Sequence, residues 1–440
     1  MKRHLYQYLL NWKASDQRKP LLLKGARQVG KTYLLTAFGQ KEFPHYHHFD
    51  FTKDKKLGAV FADSLDPLEI IRRLEIKYDL KIDADRDLII LDEIQECPRA
   101  ITALKYFCDD FNNSTVIGSG SFLGLTLSPD AYPVGKVKTV TLYPMSFFEF
   151  LEGLEKTNLL GEIIRGIPKS NISKTVHEKA WEYLKYFLIT GGLPEIVQTF
   201  KDHADSLPQA LHKVRELQSE ILDNYTSDIA KHCGKTNAIK INAVFNNVPL
   251  QLARENKTSQ KFMFKDVLPT RSNYEHLEDP IEWLIKAGLI YKTPICKRAE
   301  SPLKAYTDHN KFKLFLFDVG LLGAMVGLEP KHILDYDYGG YKGYFAENYV
   351  VGELASALHP SLFSWQEGTS EIEFLVEIGG QIIPIEVKAG INKKAKSLRV
   401  FLERYHPRHS FLISGNPVEL KKTGLSCLPH YATALLDRLV

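Results

Sequence analysis

Residues 21–32 read Leu21-Leu22-Leu23-Lys24-Gly25-Ala26-Arg27-Gln28-Val29-Gly30-Lys31-Thr32. A short apolar run ends at a glycine. A second glycine, Gly30, is followed by a lysine and a hydroxyl residue, and then Leu34, Leu35 and Phe38 fall at helical spacing. The segment therefore predicts a buried strand, a tight glycine loop and an amphipathic helix over 30–38. A chain that opens this way is committed to strand–helix alternation and a parallel sheet, because parallel strands need a crossover between them.

The loop also predicts chemistry. Gly25-Ala26-Arg27-Gln28-Val29-Gly30-Lys31-Thr32 matches G-x-x-x-x-G-K-[ST] at every fixed position. The glycines let the backbone curl so that successive N–H groups face an anion, and the following helix points its positive end at the same place. Lys31 would meet the β- and γ-phosphates of ATP, and the Thr32 hydroxyl would ligate Mg²⁺. A glycine turn with an incidental lysine is the structural alternative. A second strand, Leu88–Leu91, ends in Asp92-Glu93. There Asp92 would sit in the Mg²⁺ shell and Glu93 would polarise an attacking water, whereas a plain helix cap is the simpler reading. A third, Thr115–Ile117, runs into Gly118-Ser119-Gly120-Ser121, where Ser119 would sense the γ-phosphate or merely form a polar turn. With His48–Phe51 as a further strand, and helices over Pro67–Tyr78 and Ile101–Phe111, residues 1–150 read as a parallel sheet with helices on both faces.

Beyond Ser146 the pattern turns helical. Phe147, Phe150, Leu151 and Leu154 mark one face, and Val176–Ile189 forms a longer helix that stops at Gly191-Gly192 and restarts after Leu193-Pro194. Residues 151–236 thus read as a helical lid. Over 237–325, short helices precede two strands, Leu289–Pro294 and Ala305–Thr307, around the basic loop Lys297-Arg298. That is the outline of a winged helix, whose wing would contact DNA or pack on a neighbouring domain. Residues 326–440 begin with a helix, Phe345–Leu358, and continue with strands Glu371–Glu377 and Gln381–Val387 joined at Gly379-Gly380. The helix Lys393–Tyr405 and the strand Ser410–Ser414 follow.

On the second of those strands Glu386-Val387-Lys388 places a carboxylate and an ammonium on one face. Glu373 lies on the preceding strand and Glu353 on the helix before it, so three carboxylates and a lysine would converge as they do in a metal-dependent nuclease. Cross-strand ion pairing explains the same letters. Glu75-Ile76-Lys77, Glu255-Asn256-Lys257 and Glu419-Leu420-Lys421 share the spacing without such company. The run Lys393-Lys394-Ala395-Lys396-Ser397-Leu398-Arg399 would hold a phosphate backbone or form a solvated helix face.

Charge decides little here: 57 Lys+Arg against 53 Asp+Glu give +4, so any nucleic-acid role must rest on local patches. No run approaches the ~18 apolar residues of a membrane span. The five scattered cysteines (Cys97, Cys108, Cys233, Cys296, Cys427) form no C-x-x-C pair, so neither a zinc site nor a disulfide framework is expected, and a reduced, cytoplasmic protein fits.

Seven segments together carry a family resemblance: 18–32, Leu91-Asp92-Glu93-Ile94-Gln95, 142–151, Gly191-Gly192-Leu193-Pro194-Glu195, 317–322, 345–350 and 383–390. The chain resembles predicted prokaryotic ATPases of the AAA superfamily that carry a C-terminal domain of unknown function similar to PD-(D/E)XK nucleases. The resemblance implies an α/β multidomain protein, with a P-loop core, a helical and winged-helix middle and a restriction-endonuclease-like α/β end. It implies ATP and Mg²⁺ bound through Lys31, Thr32 and Asp92, hydrolysis supported by Glu93, and a nuclease-like site of Glu353, Glu373, Glu386 and Lys388. DNA and a protein are the implied partners, and the oligomeric state stays open. Two departures stand out. Lys136 occupies a position where the family has an arginine, and a lysine cannot make the forked contact to phosphate. Glu373 replaces an aspartate, which moves the carboxylate by about one C–C bond. The C-terminal domain is therefore read either as a nuclease or as a catalytically inactive scaffold switched by nucleotide.

Overall fold

The computed structural model describes residues 1–111, 113–121, 135–253, 261–265, 267–268, 273–358, 361–391 and 395–440; residues 232–236, 252–253 and 358 are described by their backbone alone. Glu255, Lys257, Lys393 and Lys394, and the side chain of Cys233, lie outside the described residues. The chain divides into two compact units. One comprises Lys2–Tyr143 with Lys286–Gly288, and the other comprises Pro144–Ile285 and Leu289–Val440 with Met1.

The N-terminal unit contains α1 (Leu5–Lys13), β1 (Leu21–Gly25), α2 (Lys31–Glu42), β2 (Tyr46–Asp50), α3 (Pro67–Tyr78), β3 (Leu88–Asp92), α4 (Pro98–Asp110), β4 (Val116–Ser121) and β5 (Lys138–Thr141). The strands form one parallel sheet in the order β2-β3-β4-β1-β5. Every residue of β3 and β4 is buried, as continuous apolar runs in a covered parallel sheet require. On one face Phe49, Phe61, Ile70, Leu74, Leu91, Ile101, Leu104 and Phe107 form a core with α3 and α4. Helix α3 starts where its sequence says it should: the Asp66 side chain accepts the Glu69 N–H, and Pro67 occupies the first turn. Leu34, Leu35 and Phe38 of α2 are buried as well, with Tyr6 and Trp12 of α1 against Phe38.

The C-terminal unit begins with α5 (Phe147–Gly153), α6 (Thr157–Gly166), α7 (Lys174–Thr190), α8 (Pro194–Asp202) and α9 (Leu207–Ala253), followed by α10 (Tyr274–Lys286). Then come β6 (Ile290–Cys296), β7 (Thr307–Leu316), α11 (Val319–Met325), α12 (Pro330–Leu334), α13 (Tyr341–Leu358), β8 (Phe363–Glu367), β9 (Ser370–Ile378) and β10 (Gln381–Val387). Helix α14 (Lys396–Tyr405) and strands β11 (His409–Ser414) and β12 (Gly424–Pro429) complete it.

Two features differ from the sequence reading. The division expected between residues 236 and 237 falls inside α9, a single helix of 47 residues. The helix runs through Gly234, since one glycine costs a helix only about 1 kcal/mol. The hairpin expected as a wing does form, with β6 antiparallel to β7. It does not stand alone: β6 also pairs with β8, and the strands make one seven-stranded sheet, β12-β11-β10-β9-β8-β6-β7. Lys297 of the basic loop is paired with Asp308 at 3.6 Å.

Several of the resemblance-bearing segments meet in a buried polar knot within this unit. Ser146 and Glu149 form a reciprocal capping box at the start of α5. The next amide, Phe147 N, donates to Glu353 Oε1 at 2.8 Å. Met145 N donates to Gly192 O, and Gly192 N donates to Asp318 Oδ2 at 2.7 Å. The other Asp318 oxygen accepts from Leu321 N at 2.9 Å, capping α11. Asn348 brackets the backbone of Leu316, accepting from its N–H at 2.8 Å and donating to its carbonyl at 3.0 Å. Burial lifts the Asp318 carboxyl to about 6, against the pull of its backbone N–H donors. These polar residues satisfy helix ends and strand edges that would otherwise be buried without partners.

Candidate functional site

The glycine loop joins β1 to α2 as its sequence predicts. Gly25 is required by crowding: a Cβ there would lie 2.4 Å from the Leu142 carbonyl oxygen. Gly30 caps α2 at φ 91, a left-handed conformation that glycine adopts freely. Glycine at the N-cap brings no side chain of its own to the first turn of α2, the helix end at which an anion is favoured. Between the glycines lie Ala26, Arg27, Gln28 and Val29, with Ala26 and Val29 buried and Gln28 exposed at φ 62. A residue that sequence reasoning missed fixes this curve. The buried Arg3 guanidinium donates to the carbonyls of Val29 and Tyr143, each at 2.6 Å. Nothing in its sequence surroundings marks it.

Lys31 is buried and folded back, donating to the carbonyls of Gly25 at 3.1 Å and Ala26 at 2.9 Å. Burial lowers its ammonium from the usual range, and the carboxylates of Glu93 and Asp92 oppose that shift. Thr32 Oγ1 donates to Asp92 Oδ2 at 2.7 Å. Ser119, on β4 between β1 and β3, donates to Asp92 Oδ1 at 2.5 Å. The strand order explains this meeting, because β4 lies between β3, whose end carries Asp92, and β1, which leads through the glycine loop to Thr32 at the start of α2.

His48 Nε2 also lies 3.0 Å from Asp92 Oδ2. Periodicity shows only that His48 lies on a strand; the parallel pairing of β2 with β3 brings it to the acid. Burial pushes the Asp92 carboxyl up, but hydrogen bonds from His48, Ser119 and Thr32 outweigh it and hold the group down at about 2. Asp92 is thus a buried, ionised carboxylate with three side-chain partners. Glu93 follows in a left-handed conformation at φ 51, its N–H on Asp92 Oδ1 and its carboxylate accepting from Gln95 Nε2. Lys136 is paired with Asp109 at 2.5 Å. The donor set of Thr32 hydroxyl and Asp92 carboxylate is hard oxygen, as Mg²⁺ requires.

A second cluster lies in the C-terminal unit. Glu386 and Lys388 stand side by side at 2.6 Å, and Lys388 also lies 3.5 Å from Glu373. The other Glu373 oxygen accepts from Val387 N at 3.1 Å. Glu353 is not with them; its carboxylate receives the Phe147 amide. The helix residue at the cluster is Glu347, six positions earlier and so about 240° away around α13. Glu371, which shares a strand face with Glu373, joins as well. Lys313 of β7 completes the group, buried to 2% exposure, in ion pairs with Glu371 and, at 3.6 Å, with Glu347. Burial raises the Glu347 and Glu386 carboxyls, reinforced at both by the Glu373 charge. Burial disfavours the ammonium groups of Lys313 and Lys388, yet the surrounding carboxylates raise both above the usual lysine range. Among the described residues, no three His, Cys, Asp or Glu side chains are grouped so as to hold a metal ion. None of the described helices is long and apolar enough to cross a membrane.

Residues 17–151 match the family described as an AAA domain. Residues 182–332 and 342–431 match two families described as domains of unknown function, DUF8612 and DUF4143. No curated protein matches the chain. Among solved structures, a Walker-type ATPase of Pyrococcus abyssi is 14% identical, with 74% of this chain and 95% of that one covered at a TM-score of 0.46. The Orc1 protein of Aeropyrum pernix, solved in complex with DNA, is 12% identical, with 74% and 91% covered and a TM-score of 0.31. A STAND protein of Pyrococcus horikoshii with a tetratricopeptide repeat sensor is 12% identical, with 81% and 45% covered and a TM-score of 0.28. The AAA-domain match spans the glycine loop, Lys31, Thr32, Asp92 and Ser119.

Proposed function

We propose that this chain is a Mg²⁺-dependent ATPase whose nucleotide state is coupled to its C-terminal domain. The observation that carries the reading is Asp92, an ionised carboxylate receiving Thr32 from the first turn of the glycine-capped α2 and Ser119 from β4. Thr32 and Asp92 would hold Mg²⁺, which supplies charge neutralisation for the transferred phosphoryl group. The loop amides from Ala26 to Gly30 bind the phosphates, and Lys31 exchanges its loop carbonyls for phosphate oxygens. Glu93 accepts the proton of the attacking water. Ser119 keeps Asp92 oriented and is the polar group on the strand between the two motifs. Purified protein supplied with Mg²⁺ and ATP is expected to release phosphate, and Lys31→Ala to abolish release. Unchanged turnover in that variant overturns the reading.

For the C-terminal domain the favoured reading is a binding scaffold with a nuclease-like order of elements, α13-β8-β9-β10-α14-β11. What supports it is the absence of Glu353 from the carboxylate cluster and the presence of Lys313 within it. DNA is the partner proposed, contacted through the exposed end of the β6–β7 hairpin at Lys297-Arg298. The scaffold reading predicts nucleotide-dependent DNA binding with every strand left intact. Mg²⁺- or Mn²⁺-dependent cleavage that Glu386→Ala removes would establish a nuclease instead.

A further inference from the structure

The backbone of Glu93 is held on both sides. Its N–H donates to Asp92 Oδ1 at 3.1 Å, and its carbonyl accepts the Glu96 N–H at 3.0 Å. Ile94, the next residue, is fully buried in the core that includes α3 and α4. Among the described residues, the Glu93 carboxylate accepts one hydrogen bond, from Gln95 Nε2 to Oε2 at 2.5 Å. That contact ties the end of β3 to the short turn Ile94–Glu96 that follows it.

Both partners carry a local cost. Glu93 is a non-glycine residue at φ 51 and ψ 41, the left-handed region in which a Cβ crowds the following carbonyl. Gln95 buries its Oε1 without a hydrogen-bond donor. A methionine there would fill similar space and leave no unsatisfied acceptor, so the amide needs a specific reason. Two such costs at nearby positions meet in one hydrogen bond, and local rules are broken where a site requires a particular geometry. The Glu93 charge also reaches the phosphate loop, where it opposes the lowering that burial imposes on the Lys31 ammonium.

A general base works only when its acceptor oxygen faces the water it deprotonates. A fixed backbone does not supply this, because the glutamate side chain still turns about its own torsions. With Nε2 on Oε2, Oε1 is left as the open acceptor.

We propose that Gln95 is the positioning residue of the hydrolytic site: its amide holds Glu93 Oε2 and so directs Oε1 at the attacking water. In that step the water oxygen bonds to the γ-phosphorus, its proton passes to Glu93 Oε1, and the bond to the ADP oxygen breaks. The inference rests on the ATPase reading and goes beyond it, assigning the aim of the base to a side chain that acts only through Glu93.

The test compares wild type, Gln95→Met, Glu93→Gln and the double variant. Phosphate release is followed over a range of ATP concentrations, beside fluorescent-nucleotide affinity and urea unfolding. Gln95→Met is expected to lower kcat by about 10–10²-fold, the scale of a misplaced catalytic group, with nucleotide affinity unchanged. Its unfolding midpoint is expected to hold or rise, because the unsatisfied oxygen is gone; loss of a merely structural contact would lower it. In the Glu93→Gln background, Gln95→Met is expected to cost no further activity. A folded Gln95→Met with wild-type or higher kcat overturns the proposal. So does a loss confined to nucleotide affinity, or the same fold loss repeated in the Glu93→Gln background. Should Gln95→Met fail to fold, Gln95→Glu keeps the shape and exchanges the donor for a second carboxylate, and wild-type kcat in that folded variant is equally decisive. The ATPase reading fails on different results, a wild type that releases no phosphate or turnover that survives Lys31→Ala, and this inference then falls with it.

Discussion

Thr32 Oγ1 and Asp92 Oδ2, from positions 60 residues apart, meet at 2.7 Å. The contact joins the start of α2 to the end of β3, the two places that the proposed nucleotide site needs together. It fixes how three substitutions should differ. Lys31→Ala is expected to lose ATP binding and hydrolysis together. Glu93→Gln should keep nucleotide binding while turnover falls by about 10²–10⁴-fold, the contribution of a positioned base. Asp92→Asn, which leaves Thr32, Ser119 and His48 around a neutral amide, should lower turnover by about 10²-fold or more. Phosphate release and a fluorescent-nucleotide titration separate these outcomes. A Glu93→Gln variant with wild-type turnover would remove that residue from the proposed chemistry.

Arg3 offers a prediction remote from any motif. Hydrogen bonds from its guanidinium tie the Val29 and Tyr143 carbonyls to one planar group. Arg3→Ala should weaken ATP binding by about tenfold by loosening the loop, a cost of about 1.4 kcal/mol. Arg3→Lys should not restore it, because a single ammonium cannot reproduce the fork. Equal affinities in wild type and Arg3→Ala would show that the loop holds its shape without this clamp.

Glu353 is expected to behave as a structural cap. Glu353→Ala strands the buried Phe147 amide and should destabilise the C-terminal unit by about 1–3 kcal/mol. Glu353→Gln, which keeps an acceptor, should lose less. Urea unfolding followed by tryptophan fluorescence measures both, and divalent-metal binding should be indifferent to either change.

His430 sets a pH dependence. Its ring is buried beside Trp181, with centroids 5.6 Å apart, and burial depresses its pKa from 6.5 to about 4. Between those values the unfolded chain takes up a proton that the folded chain refuses. Stability from this group is therefore present above pH 6.5 and lost as pH falls towards 4, by up to about 3 kcal/mol. His430→Phe should lose less stability than wild type over that window. Denaturant unfolding of both proteins at pH 7, 5.5 and 4 decides it, since parallel losses would acquit the histidine.

Legibility followed the range of the interaction. Leu88–Asp92 and Pro67–Tyr78 were plain because burial and capping are written in adjacent residues. The strand, glycine loop and helix over 21–42 were plain because the glycine spacing sets the backbone there. His48 was hidden because its tie to Asp92 depends on which strand lies beside β3, and Arg3 because its partners are carbonyls, which every residue carries. Glu353 misled for a related reason: a helix presents many carboxylates, and only the packing of α13 chooses Glu347 for the cluster. Lys313 was invisible beside Glu386-Val387-Lys388, since nothing local ties β7 to β9 and α13.

The hairpin of β6 and β7 has a consequence for the chain's modularity. Residues 182–332 and 342–431 match separate families, yet β6 and β7 belong to the first and β8 to β12 to the second. Hydrogen bonds between β6 and β8 cross that seam. Expressed apart, one fragment would carry two strands of the sheet and the other five, each with a freshly exposed edge, a template for aggregation. The two regions can be inherited, swapped or truncated only as a pair, so the smallest portable piece of this half of the protein is larger than either family on its own.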